Sequence, residues 1–238
     1  MGGMQVEEVM TRLQKLGSEQ TRKTLRRHGA QGEFFGVKIG DMKPLAKQLM
    51  GEQELALALY ETGNGDAMYL AGLIADGAKM SRKQLDGWLK RATWSMISEY
   101  TVPWVAAESP HARAAALAWM DSKQESAAAA GWHTYSSYVA LQPDAALDLK
   151  EIESLLKRVE KEIGKAPNRV RYAMNNFVIS VGAAVAPLLA KAKAVAKKIG
   201  VVEVDMGDTA CKVPLALEMI EKIEKMGRVG KKRKTAKC

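Results

Sequence analysis

The 238-residue sequence has only two cysteines, Cys211 and Cys238. Their spacing fits neither a zinc-ligand pattern nor a disulfide framework. Aromatic residues are scarce at 6%, and alanine runs are frequent, as in Ala127–Ala130. Both features favour helices over sheets. Long apolar runs are also missing. The longest, Phe177 to Ala190, is shorter than a membrane span and contains Pro187. No membrane association is expected. Met1 to Leu16 is polar and amphipathic, unlike a signal peptide, so the expected compartment is the cytoplasm. The glycines at 29, 32, 36 and 40 end in no Lys-Ser/Thr pair and follow no strand, which excludes a P-loop.

Acidic residues are absent from the last twelve positions. Gly227 to Cys238 carries Arg228, Lys231, Lys232, Arg233, Lys234 and Lys237, six of the nine charges in the +9 net total. The rest of the chain is therefore only mildly basic. Lysine and arginine release counterions from phosphates, so this pattern points to nucleic acid. A solvated tail that aids solubility is the alternative.

With 47% hydrophobic and 26% charged residues, the chain is of ordinary globular composition. Helical periodicity covers nearly all of it, beginning with Val6, Val9, Leu13 and Leu16. Ser18 can cap a second, basic helix, and Asp41 the one after the glycine-rich loop. Ser81–Gln84 and Ser122–Glu125 read as capping boxes. Ser109-Pro110 reads as an N-cap followed by a first helical residue. Further helices are predicted over 149–163, from Pro167 to Gly182, from Pro187 to Gly200, and from Pro214 to Met226. Only Val201–Val204 looks like a strand. Short helices joined by short turns suggest a solenoid of helix pairs, with a unit of about 40 residues. Trp94, Trp132 and Arg171, spaced 38 and 39 apart, fit that period and could line one wall. A compact irregular bundle is the alternative. The expected organisation is a single repeat domain over 1–226 followed by a basic tail over 227–238.

Several residues could carry chemistry. Trp94 and Trp132 could stack on bases, or belong to the core. Glu99 is the candidate catalytic carboxylate. It lies five residues past Trp94, off that face of an ideal helix, and a solvated surface acid is the alternative. Gly131 inside a helix implies close packing. His133 has no second histidine nearby in sequence, so no metal site is expected there. Asn168, Arg171 and Asn175 share one helix face, with Arg169, Tyr172 and Asn176 on the adjoining stripe. Arginine near a helix N-terminus opposes the dipole, which suggests an external phosphate. A buried amide and arginine network is the alternative. Asp205 and Asp208 could hold magnesium or act as a base, or merely cap a loop.

The stretch Phe35-Gly36-Val37-Lys38-Ile39-Gly40-Asp41-Met42-Lys43-Pro44-Leu45 resembles the N-terminal signature of the DNA alkylation repair enzymes, the HEAT-like-repeat DNA glycosylases. Thr93 to Ser98 resembles their tryptophan helix, and Ala130-Gly131-Trp132 a later one. The likeness spans roughly residues 20 to 140, and the remainder looks like a divergent branch. The resemblance implies an all-α right-handed superhelix with a concave basic face that binds duplex DNA as a monomer. It implies hydrolysis of the N-glycosidic bond of N3- or N7-alkylated purines, with no metal or cofactor. It further implies Trp94 and Trp132 as stacking walls and Arg169 and Arg171 on phosphates. Asn175 lies on the same stripe, and either Arg113 or Arg171 matches the family's catalytic-face arginine. Lys231, Lys232, Arg233 and Lys234 would add an electrostatic anchor. The family's aspartate lies four residues after the tryptophan, where this sequence has Ser98 and a carboxylate one position later at Glu99. Three functions follow: a glycosylase, a non-catalytic module for DNA structure or damage, or a protein-interaction scaffold.

Overall fold

The structure, a computed structural model, describes residues 4–237. Among the described residues there are thirteen α-helices, joined by short 3-10 turns, and no strand. The chain forms two compact units. Of the described residues, one comprises 4–110 with 207–209 and 237, and the other 111–206 with 210–236. Val201–Val204 is irregular rather than extended into a strand, because no neighbouring strand pairs with it.

In the first unit the helices are α1 (Val6–Leu16), α2 (Glu19–Arg27), α3 (Ile39–Gln48), α4 (Gln53–Glu61), α5 (Gly65–Ile74), α6 (Arg82–Arg91) and α7 (Val102–Ala107). The Ser18 cap forms, accepting the Thr21 N–H at 3.2 Å. The Ser81–Gln84 capping box forms as well. Helix α3 starts two residues before Asp41, which sits in its first turn and favours the positive end of the dipole. Every residue of α5 is buried, making it the central helix of this unit. Beside it, Tyr60 stacks on Trp88 with ring centroids 4.0 Å apart. The Tyr60 hydroxyl donates to the Trp88 carbonyl at 2.7 Å, which satisfies its one polar atom.

The second unit contains α8 (Ala112–Met120), α9 (Glu125–Leu141), α10 (Leu149–Glu162), α11 (Asn168–Ala184), α12 (Leu189–Ile199) and α13 (Ala216–Lys225). Helix α9 packs on α8 and α11, and α12 and α13 pack on α11. Gly131 permits a close contact between α9 and α8. A Cβ there would lie 2.5 Å from the Met120 nitrogen and 2.7 Å from the Ala116 oxygen, both backbone atoms of α8. Two expected N-termini differ. Ser109 donates its hydroxyl to the Ala106 carbonyl and leaves α8 without a side-chain cap. Ser122 accepts the Gln124 N–H, and the Glu125 carboxylate reaches across to the Arg169 N–H at 2.6 Å. Glu125 thereby caps the N-terminus of α11 instead of completing its own box.

The tail also folds. Gly230 N–H donates to the Ala183 carbonyl and Arg233 N–H to the Ala140 carbonyl. The Lys232 ammonium donates to the carbonyls of Val139 and Ala184 at 3.0 and 2.6 Å, and pairs with Asp144 at 2.8 Å. One cation thus satisfies orphan carbonyls at the C-terminal ends of α9 and α11, where the dipoles favour positive charge. Lys232→Met is expected to lower stability by about 2 kcal/mol, while Lys234→Ala, at an exposed site, changes it by under about 0.5 kcal/mol. Thermal melts of the two variants check this contrast.

Candidate nucleic-acid interface

The first unit carries a cleft of about 400 Å³. Its walls include Phe34, Val37, Asp66, Tyr69, Trp94 and Met96. Half-buried Trp94 is one of the two indole or phenol rings that line it. The Phe35-Gly36-Val37 segment takes its shape from Asp66. One carboxylate oxygen accepts the N–H groups of Phe35 and Gly36 at 2.6 and 2.9 Å, and the other accepts that of Val37 at 3.1 Å. Burial pushes the Asp66 carboxyl up from the usual range, and the three amide bonds oppose that shift. Gly36 is required here, since its φ is +80°. A Cβ there would also meet Arg22 and the Ser18 carbonyl within 2.7 Å.

Past Trp94 the chain makes a π-helical turn over Met96–Thr101. Its N–H groups reach carbonyls five residues back, so the α-helical wheel used to place Glu99 does not hold across it. Ser98 and Glu99 are both 2% exposed. Glu99 is therefore not a solvated surface acid, and its carboxylate does not line the Trp94 cleft. Ser98 donates to the Trp94 carbonyl at 3.4 Å.

In the second unit the predicted residues separate. Trp132 is fully buried, with its ring 5.2 Å from that of Phe177. It is a core residue, with no face left for a base. Its chain neighbour His133 turns the other way, towards Tyr172 at 6.1 Å between ring centroids. The Arg169 guanidinium covers the Tyr172 ring at 4.7 Å. In sequence, His133 lies 39 residues after Trp94 and Tyr172 lies 39 after His133.

The amides of α11 are structural. Asn175 is fully buried and donates to the Pro214 carbonyl at 2.9 Å. Asn168 both donates to the Asp205 carbonyl and accepts the Asp205 N–H, at 2.8 and 2.7 Å. Together they fasten the two ends of the 205–214 loop, and Asn175 faces the core rather than the surface expected of a DNA contact. Arg113 is also committed. It forms two bonds to Glu151, at 2.8 and 2.6 Å, and Glu151 accepts the Tyr135 hydroxyl at 2.5 Å. Arg171 differs, because its Nε is buried without a partner and its one bond, to Asn168, is 3.5 Å long.

The profile of the DNA alkylation repair enzymes matches residues 9–198. The chain belongs to the DNA alkylation repair enzyme family. An uncharacterized protein of Listeria monocytogenes is 34% identical to it, over 91% of this chain and 96% of its own length. A second, from Listeria innocua, is 33% identical over the same shares. A solved structure superposes with a TM-score of 0.90 at 40% identity, covering 99% of this chain and 100% of the other. That protein represents a family related to the HEAT-like repeat DNA glycosylases with affinity for branched DNA structures. The fold here is thus all-α, of HEAT-like repeats.

This DNA alkylation repair family member departs from the expected site at the carboxylate. Of the residues lining the Trp94 cleft, Asp66 alone carries a carboxyl, and its oxygens hold three backbone amides. Among the described residues no three metal-ligating side chains gather, and Asp205 and Asp208 recruit no third. The tail cations also divide. Lys231, Arg233 and Lys234 are exposed, whereas Lys232 is bound to its own chain by the contacts given above. Lys237 donates to the Leu73 carbonyl at 3.2 Å and to that of Ala75, with Glu108 3.6 Å away. Burial pushes its ammonium down from the usual lysine range, and Glu108 opposes this.

Proposed function

We propose that this chain recognises branched DNA without cleaving the N-glycosidic bond. Arg169 and Arg171 bind phosphates, Trp94 and Tyr172 offer rings to bases or sugars, and exposed Lys231, Arg233 and Lys234 add long-range attraction. The observation that carries this reading is the state of the carboxylates. Stabilising the cation that forms as a glycosidic bond breaks needs a negative charge aimed at the sugar. Asp66 is 5% exposed and accepts three backbone amides, Glu99 is 2% exposed, and Ser98 stands where the family's aspartate is expected. The affinity of the 40%-identical structural relative for branched DNA supports the choice of ligand.

Fluorescence anisotropy with a four-way junction and a linear duplex of the same arm sequence tests binding. The junction should bind more tightly. Tyr172→Ala should weaken junction binding by about 1–3 kcal/mol, the worth of one stacked base. Release of alkylpurine from methylated duplex, followed by chromatography, should not exceed the buffer control. Release above that level would overturn the non-catalytic part.

A further inference from the structure

A second groove lies in the 111–206 unit, where the turn before α9 and the end of α10 meet the start of α11. It spans about 820 Å³, part of it open to solvent. Lys123, Arg158, Lys161 and Lys165 line it, against Glu125 and Glu162. Both acids are occupied. Glu125 accepts the Arg169 N–H, and Glu162 pairs with Arg158 at 2.9 Å. Arg158 also pairs with Asp121 at 2.7 Å. Lys123, Lys161 and Lys165 are exposed and make no ion pair among the described residues.

The floor holds a further donor. Trp132 lines this groove, and its indole Nε1–H is buried with no acceptor. A fully buried N–H without a partner costs about 1–3 kcal/mol, so such groups are rare unless a ligand completes them. Three unpaired ammonium groups around one unpaired N–H donor ask for an anion with several acceptor oxygens. Phosphate meets that description.

The groove and the Arg169–Tyr172 array use different sides of α11. Pro167, Val170 and Met174 face the groove. Arg169 and Tyr172 lie about 160° around the helix at 3.6 residues per turn. None of Arg169, Tyr172 and His133 lines the groove. Two phosphate-attracting surfaces on opposite sides of one helix suit two diverging arms better than one straight duplex. Resting on the branched-DNA reading above, we infer that the groove of Lys123, Lys161, Lys165 and Trp132 binds the backbone phosphates of a second arm.

The test uses the full chain, a fluorescein-labelled four-way junction, and a linear duplex of one arm. Anisotropy titrations are run at about 200 and about 50 mM salt, for wild type and the triple variant Lys123→Gln, Lys161→Gln, Lys165→Gln. Each phosphate no longer neutralised lowers the salt slope by about 0.9. On going to the lower salt the wild type should therefore gain about 40-fold more junction affinity than the variant. Duplex affinity should be the same for both. Trp132→Phe keeps the ring but removes the donor, and should weaken junction binding roughly ten-fold. Circular dichroism confirms folding, and the exposed lysine sites keep the test independent of any core damage at Trp132. An unchanged salt slope on the junction would overturn the groove and leave the DNA reading standing. Equal losses on junction and duplex would overturn the assignment to a second arm. Tighter binding of inorganic phosphate than of either DNA would replace the nucleic acid by a free anion. Failure of the wild type to bind any DNA would overturn the functional reading itself.

Discussion

Asp66→Ala should lower stability by about 3–5 kcal/mol, among the largest effects of any single substitution in this chain. The carboxylate organises a loop from a distance of some thirty positions in sequence. Its two oxygens accept the N–H groups of Phe35, Gly36 and Val37, and Asp66 is 5% exposed. Alanine leaves three amide donors at the edge of the core, each costing about 1–3 kcal/mol when unsatisfied, with water entry offsetting part of the total. At roughly 2–4 °C per kcal/mol for a chain of this size, the melting temperature should fall by about 6–20 °C. Asp66→Asn should fall between, since one oxygen remains while the new amide group faces N–H donors. A melt of Asp66→Ala within about 2 °C of wild type would show that the loop holds itself without the carboxylate. DNA binding through Trp94 should fail together with the melt, because Phe34 and Val37 share the Trp94 cleft.

Gly131→Ala should destabilise by about 2–3 kcal/mol, although alanine is the better helix former by about 1 kcal/mol. The added methyl would lie 2.5 Å from Met120 N and 2.7 Å from Ala116 O. Both are backbone atoms, so no side chain can rotate away and α8 must shift from α9. Gly87→Ala is the matched contrast. That glycine is also inside a helix, α6, but a Cβ there meets nothing within 4 Å. It should stabilise by about 0.5–1 kcal/mol through propensity alone. Chemical denaturation of both variants reads opposite signs for one chemical change. The same sign at the two sites would contradict the close packing of α8 on α9.

Much of the secondary structure was legible because helical periodicity and capping are local. The Ser18 cap, the Ser81–Gln84 box, and helices over 149–162 and 168–184 follow from neighbouring residues alone. The failures share a cause. At Ser122–Glu125 the sequence satisfies a local rule, but the Glu125 carboxylate gains a charge-assisted bond to the Arg169 N–H instead. That donor is forty-four positions away, and no window of sequence contains it. The tail departs from its expected role only at two lysines. Its charge reads as an anchor for phosphates, yet Lys232 and Lys237 find carbonyl groups at helix ends in the folded chain.

The sequence by itself determined the helical class, the organisation in helix-pair repeats, the need for glycine at position 131, and the missing aspartate at Ser98. Which residues of a helix face inward was settled only by the tertiary structure. One step along an α-helix turns the side chain by about 100°. Trp132 and His133 are adjacent in sequence but serve the core and the Tyr172 side respectively. Which of the two faces inward depends on where Phe177 and α8 lie, and a periodic pattern carries no information about that. The amides of α11 follow the same logic. Their spacing marks a polar stripe, and only the folded 205–214 loop makes Asn168 and Asn175 its fastenings and leaves Arg171 incompletely paired.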